Sequence, residues 1–194
     1  MDNNQYYLRK SLWENTMHLC NEKHDVTITI DPMFTLDSVD NNIDYDYVYN
    51  PHGYRKHDFS STFCILNHTK GTDSTIALIG SHYCYDTACA VLNDNILTIL
   101  QDTFITKIDL DTNAFVSTKE IPDSFINYSL YKTINGLVIC GELEIIGLDD
   151  DCNMIWRASS RDVITDFKIL EDRIQYSDWS GNDYEIGMDG RTIG

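Results

Sequence analysis

Three stretches in the second half of the chain line up at a nearly constant spacing, and this spacing limits the possible folds more than any other feature. The first stretch runs Asn93-Asp94-Asn95-Ile96-Leu97-Thr98-Ile99 and resumes at Thr106-Lys107-Ile108-Asp109-Leu110-Asp111-Thr112. The second runs Ile134-Asn135-Gly136-Leu137-Val138-Ile139 and resumes at Glu144-Ile145-Ile146-Gly147-Leu148-Asp149-Asp150-Asp151. The third runs Glu171-Asp172-Arg173-Ile174-Gln175-Tyr176 and resumes at Asp183-Tyr184-Glu185-Ile186-Gly187-Met188-Asp189-Gly190. Leu110 and Leu148 are 38 residues apart, and Leu148 and Met188 are 40 apart. A period of about 40 residues holding about four short strands is the sequence mark of a propeller blade. One such sheet cannot cover both of its faces, so it must stack on a neighbour.

Within the second unit, Asn135-Gly136-Leu137-Val138-Ile139-Cys140-Gly141 is followed by Ile146-Gly147-Leu148-Asp149 and then by Met154-Ile155-Trp156. This turn, strand and hairpin closing on tryptophan resembles the PQQ-like β-propeller repeat family. The third unit keeps the hairpin, and the first has Ala114-Phe115 at the tryptophan position. The resemblance covers about half the chain and implies a blade fold, not a cofactor, because quinone-binding members are much larger closed propellers. The expected fold is therefore mainly β: a partial or small propeller-like arrangement of antiparallel blades behind an irregular N-terminal segment.

The chain has three prolines and no Pro-, Gly- or Ser-rich linker, so one domain over residues 1–194 is expected. Residues 1–62 form its acidic, aromatic N-terminal segment and residues 63–194 its blade-like repeats. At the start, Leu8, Leu12, Trp13, Leu19 and Cys20 fit one face of a short helix, whereas Tyr6-Tyr7-Leu8 fits a strand. Val26 to Ile30 alternates β-branched residues and reads as a strand. Phe63–Leu66 and Thr75–Ile79 read as a hairpin around a polar turn from Asn67 to Ser74.

The formal charge is −17, from 31 Asp and Glu against 14 Lys and Arg. A field of this sign repels nucleic acid and anionic lipid and attracts basic proteins. No basic region followed by an apolar core opens the chain, and no apolar run approaches a membrane span. A soluble, cytoplasmic protein is expected, monomeric before complex formation.

Motifs for chemistry are scarce. Phosphate loops, nucleophile elbows and paired zinc histidines are missing from the sequence. His82, Cys84 and Cys89 suit zinc by type, but a fourth ligand is not evident. Cys84 and Cys89 fall near enough in sequence for a disulfide, which only geometry decides. Asp109, Asp111, Asn113 and Glu120 mimic a calcium loop, yet Ala114 stands where such a loop needs glycine. The same Asp-rich turn recurs at Asp149-Asp150-Asp151 and Asp189, which favours backbone-capping turns. No catalytic residue, metal or cofactor is assigned. The basic island His52-Gly53-Tyr54-Arg55-Lys56-His57 is read as an intramolecular ion-pair partner of its acidic surroundings rather than a phosphate loop.

What remains is surface. Asp25, Asp31, Asp37, Asp40, Asp44 and Asp46 carry no Lys or Arg among them, and Tyr45, Tyr47 and Tyr49 alternate with the last of these acids, which on a strand places the tyrosines on one face and the aspartates on the other. Glu142, Glu144, Asp149, Asp150 and Asp151 form a second base-free cluster. Tyrosine supplies a rigid anchor and carboxylates steer a basic partner. The expected partner surface is Asp37, Asp40, Asp44, Tyr45, Asp46, Tyr47 and Tyr49 with Asp149, Asp150 and Asp151. The expected function is an inhibitor or immunity-type protein that occludes the cleft of a basic partner such as a nuclease toxin. The alternative is a generic propeller-like interaction scaffold. A third reading, a hydrolase using scattered Asp and His, requires a deep pocket holding His52, His57 or His82 beside a carboxylate.

Overall fold

A computed structural model describes residues 16–56, 58, 60–69, 71–81, 88–124 and 126–193. The described residues are strands and turns, with no helix among them. The reading of a helix through Leu19 and Cys20 is corrected: both lie on strand β1 (Met17–Cys20), with Leu19 buried and Cys20 exposed as strand alternation requires. Leu8, Leu12 and Trp13 fall outside the described residues.

Two compact units are present. One comprises Met1–Asp86, Leu92–Thr98 and Thr106–Thr118, and the other Thr87–Val91, Ile99–Ile105 and Lys119–Gly194.

In the first unit, β1, β2 (His24–Ile30), β3 (Tyr47–Tyr49), β4 (Ser61–Thr69) and β5 (Thr72–Gly80) form a sheet in the order β1-β2-β4-β5-β3. The β-branched alternation of β2 buries Val26 and Ile28 on one face. Strands β4 and β5 stay in register from Ser61 opposite Gly80 to Thr69 opposite Thr72. The expected hairpin forms, but its turn is far tighter than Asn67 to Ser74. Gly71, at φ +113°, turns the chain, and Asn67 and Ser74 face each other inside the ladder. Both polar side chains find hydrogen bonds to Asn113, which is why they can sit in strands.

Strand β3 pairs parallel to β5, with Tyr47 opposite Ile76 and Tyr49 opposite Leu78. The regular strand stops short of Asp44 because side chains replace the ladder there. The Asp46 amide donates to Thr75 Oγ1 at 3.1 Å, and its carboxylate accepts the Thr75 N–H at 2.7 Å.

Strands β6 (Ala90–Asn93), β7 (Ile96–Gln101), β8 (Phe104–Asp109) and β9 (Ala114–Glu120) form the next sheet, in sequence order, with residues divided between the two units. In the second unit, β10 (Asn127–Thr133), β11 (Gly136–Gly141), β12 (Glu144–Leu148) and β13 (Met154–Ser159) form a four-stranded antiparallel meander. Strands β14 (Ile164–Ile169), β15 (Arg173–Asp178) and β16 (Asp183–Gly187) form a three-stranded one, extended by a bridge between Ile186 and Thr192. The expected mainly β fold of antiparallel blades is the observed one.

Stacking is visible in the burial. Every residue of β11 and β12 is buried, so both faces of that meander are covered. By contrast, β15 alternates, with Ile174, Tyr176 and Asp178 buried and Arg173, Gln175 and Ser177 half-buried. The apolar face joins Val138, Cys140 and Ile145 of one sheet to Ile164, Ile174, Tyr176 and Ile186 of the next.

Trp156 seals this junction. It lies opposite Gly147 in the β12–β13 ladder. A Cβ on Gly147 would come within 2.2 Å of the indole, and one on Gly190 within 2.5 Å. Gly190 has φ +78° and belongs to the turn after β16, so one indole is pressed between glycines of two successive sheets. Trp156 is half-buried rather than a fully enclosed core residue, because β13 is the outermost strand of its sheet.

The Asp turns are backbone caps. Asp149 accepts the Asn153 N–H and Nδ2 at 2.7 and 2.8 Å. Asp178 does the same with Asn182 at 3.0 and 3.1 Å, and also accepts the Tyr184 hydroxyl at 2.8 Å. Residues with positive φ, Cys152 (61°) and Gly181 (79°), precede the two asparagines. The Asn182 backbone N–H is the main cause holding the Asp178 carboxyl below its usual range.

Two predictions follow from this packing. Trp156→Ala removes the indole between two glycines that cannot refill the space, and should cost about 2–4 kcal/mol; urea denaturation of the variant checks it. Asp178 has a folded-state value below the unfolded one near 4. Its contribution is therefore complete above that value and lost as pH falls through the lower folded one. Asp178→Asn should flatten the acid limb of the urea midpoint against pH.

Candidate functional site

In the first unit Tyr47 and Tyr49 of β3 meet Phe115 at the start of β9. Tyr47 and Tyr49, two apart on β3, project from the same face. Their ring centroids are 6.5 Å apart and the planes nearly parallel at 18°. The Phe115 ring follows Tyr49 at 5.8 Å, tilted by 43°. Tyr47 is 38% exposed, Val48 46%, Phe115 37% and Val116 51%. A row of large apolar groups this open is unusual for residues that merely cover a core.

A buried polar network holds the row in place. Asn67 and His24, each 1% exposed, lie side by side on β4 and β2. Asn67 Nδ2 donates to the Leu110 carbonyl and to Asn113 Oδ1, both at 3.0 Å. These bonds fix the amide orientation, so Oδ1 faces His24 Nδ1 at 3.2 Å. His24 Nε2 lies 3.1 Å from Asp111 Oδ1, and Lys23 pairs with the same carboxylate. Both ring nitrogens of His24 thus face side-chain oxygens. Ser74 Oγ donates to Asn113 Oδ1 at 3.0 Å, and the Tyr49 hydroxyl donates to the Asn113 carbonyl at 2.5 Å. Asn113 adopts φ 53°, and Phe115 begins two residues later.

The residues expected to bind a partner divide sharply. Tyr47 and Tyr49 form the row, while Asp37, Asp40 and Asp44 are exposed. Among the described residues, neither these three carboxylates nor Asp46 is in an ion pair. Tyr45 departs from the expectation that the three tyrosines share one face. Its hydroxyl donates to Asp31 at 2.8 Å and its ring meets Phe34 edge-on at 5.5 Å. Burial, together with the neighbouring Cys64 and Asp31, pushes its phenol well up. Asp46 is a latch. The backbone N–H of Thr75, seconded by its hydroxyl, holds the Asp46 carboxyl below its usual range. In the second cluster Asp149 is the turn cap already described and Asp150 pairs with Lys132. Asp151 receives Lys119 on its backbone carbonyl, leaving an exposed carboxylate.

Two residues went unrecognised as surface features. Phe115 stands just after an Asp-Thr-Asn turn, a position that starts an outermost strand and so faces the rim. Trp179, 77% exposed, sits in the Asp-x-x-x-Asn turn after β15, and the turn spacing alone would have placed it outside.

The other candidates are less developed. In the basic island, Asp58 accepts the Arg55 backbone N–H at 2.6 Å, but among the described residues neither Arg55 nor Lys56 is in an ion pair. The expected intramolecular pairing is thus not formed there, because the nearby carboxylate is engaged by backbone. A cavity of about 100 Å³ beside them is lined by Phe34, Tyr54, Arg55 and Lys56, among others. His57, His82 and Cys84 lie outside the described residues. Asp109 accepts the backbone N–H of Asp111 and Thr112, so the calcium-like spacing is occupied by a turn. Among the described residues, no three His, Cys, Asp or Glu side chains are grouped to share a metal.

No family model and no curated protein matches the chain. Among solved structures, it is similar to BamB from Moraxella catarrhalis, with a TM-score of 0.50 and 11% identity over 70% of this chain and 46% of that one. This chain therefore spans about half the length of that structure, and at such identity the likeness establishes the propeller-like fold alone.

The network makes a prediction. Asn67→Ala strips partners from the buried Leu110 carbonyl and His24 together and should cost about 2–4 kcal/mol. Tyrosine-ring NMR signals of Tyr49 should broaden or shift in the same variant, since Asn113 loses one of its supports.

Proposed function

We propose that this protein is a non-enzymatic protein-interaction scaffold that engages a basic partner through Tyr47, Tyr49 and Phe115. One observation carries the reading: an exposed, pre-ordered aromatic row stands in a stretch of carboxylates with no counter-charge. Interfaces concentrate their energy in rigid aromatic anchors, and charges around them raise the rate of encounter. The row provides the first and Asp37, Asp40 and Asp44 the second. Propeller-type sheets serve many functions, so the site and not the fold supports this reading.

The finer reading, an inhibitor or immunity-type protein that covers the positive cleft of a nuclease toxin, rests on the net charge of −17. It is a special case of the same surface, with the partner's catalytic cleft as the docking point.

The test compares the wild-type chain with a Tyr47→Ala/Asp44→Lys variant, both immobilised and exposed to host lysate. A basic protein held by the wild type, released by raised salt and not held by the variant supports the reading. Equal retention by both chains, or retention indifferent to salt, overturns it. Asp46 is left intact in this variant because it fastens β3 to β5.

A further inference from the structure

We infer that the row formed by Tyr47, Tyr49 and Phe115 is a binding site for an arginine side chain of the partner. The inference rests on the protein-binding reading above and specifies its central contact.

The geometry of the rings supports it. Aromatic faces carry negative quadrupole potential and attract a cation held within about 6 Å of the centroid. Tyr47 and Tyr49 present such faces in nearly the same orientation, 18° apart in plane and 6.5 Å apart in centroid. A flat group between them would need two contacts of ~3.5–4.0 Å, more than that distance, so it stacks on the outer face of a ring rather than between the two. Phe115, tilted at 43°, closes the row beyond Tyr49 and leaves the Tyr47 end as the open one. Guanidinium is flat and stacks on rings, whereas ammonium is compact and strongly hydrated, so the row favours arginine over lysine.

The site is ordered in advance. Tyr49 cannot swing freely, because its hydroxyl is bound at 2.5 Å to the Asn113 carbonyl. Asn113 is in turn held by Asn67 and Ser74. A rigid platform loses little freedom on binding. The stretch that carries Tyr47 and Tyr49 brings acids and no base: no Lys or Arg occurs between Lys23 and Arg55 in sequence, while Asp37, Asp40, Asp44 and Asp46 all do. A guanidinium brought by a partner complements both the rings and this acidic stretch.

The experiment is an NMR titration of the full chain with three peptides, acetyl-Gly-Arg-Gly-amide and its lysine and citrulline counterparts. Citrulline keeps the shape of arginine and removes the charge. The arginine peptide should shift ring protons of Tyr47, Tyr49 and Phe115 saturably. The lysine peptide should bind about two- to fivefold more weakly and the citrulline peptide about tenfold or more. Tyr47→Phe should bind as the wild type does, and Tyr47→Leu should lose the site while its amide spectrum stays folded. Equal shifts from arginine and citrulline, no saturable shift at the rings, or unchanged binding by Tyr47→Leu would each overturn the inference. Loss of arginine binding with partner capture intact would leave the scaffold reading standing with a different contact. Arginine binding without any captured partner would sink the scaffold reading alone.

Discussion

A buried amide has no water to turn to, and Asn67 shows how much structure one such group can organise. It sits buried within the regular ladder of β4, where a polar side chain costs stability unless its donors and acceptors are used. Its two N–H groups go to the Leu110 carbonyl and Asn113, and its oxygen faces His24. The two amide N–H bonds reach from the five-stranded sheet into the turn that joins β8 to β9, within the first unit. The turn residue Asn113 is then fixed strongly enough to hold Tyr49 by its hydroxyl and to launch Phe115 beside it. An interior polar network thereby positions Tyr49 and the turn that leads to Phe115 on the exterior.

The acids of this chain do two different kinds of work. Asp149 and Asp178 spend their lone pairs on donors of their own turns and Asp46 on the backbone and hydroxyl of Thr75 across the ladder, and those bonds hold their carboxyls low. Asp37, Asp40 and Asp44 lie exposed with no ion pair among the described residues. The first kind is a fold requirement that recurs wherever an Asp-x-x-x-Asn turn closes a hairpin. Only the second kind is available to a partner. Net charge alone therefore overstates how much of the acidity is functional.

The blade repeats were legible in the sequence because their signals are local. A tight turn needs a residue that tolerates positive φ and an acid or amide that caps it, and both recur near every fortieth residue. The glycine at 147 and the tryptophan at 156 were visible as a pair, although only the ladder places the one against the other. The first half was harder to read. Asn67 and Ser74 look like turn residues, and what makes them strand residues is a partner, Asn113, about forty positions away. Tyr45 and Tyr47 each follow an aspartate in the same alternating run, yet one is drawn inward by Asp31 and the other is left out. Periodicity assigns a face to a strand residue but cannot show that the strand starts only at Tyr47. Phe115 could not be joined to Tyr49 from the sequence either, since 64 residues separate the Tyr49 hydroxyl from even the turn carbonyl it bonds.

The aromatic row and the unpaired acids also bear on each other energetically. A chain at −17 carries self-repulsion that weakens its compact state, most of all where like charges follow one another without a cation. From Asp25 to Asn50 that condition holds throughout the sequence, and among the described residues of the first unit the ion pairs, Lys23 and His24 with Asp111 and His68 with Asp73, involve none of the acids between Asp31 and Asp46. A cation brought by a partner relieves this repulsion as well as making its own contacts, whereas a neutral group of the same shape does only the second. In the proposed arginine site the rings would set where the cation lies and the surrounding field how strongly its charge is preferred, so that the surface would select a charged planar group over an apolar one of equal area.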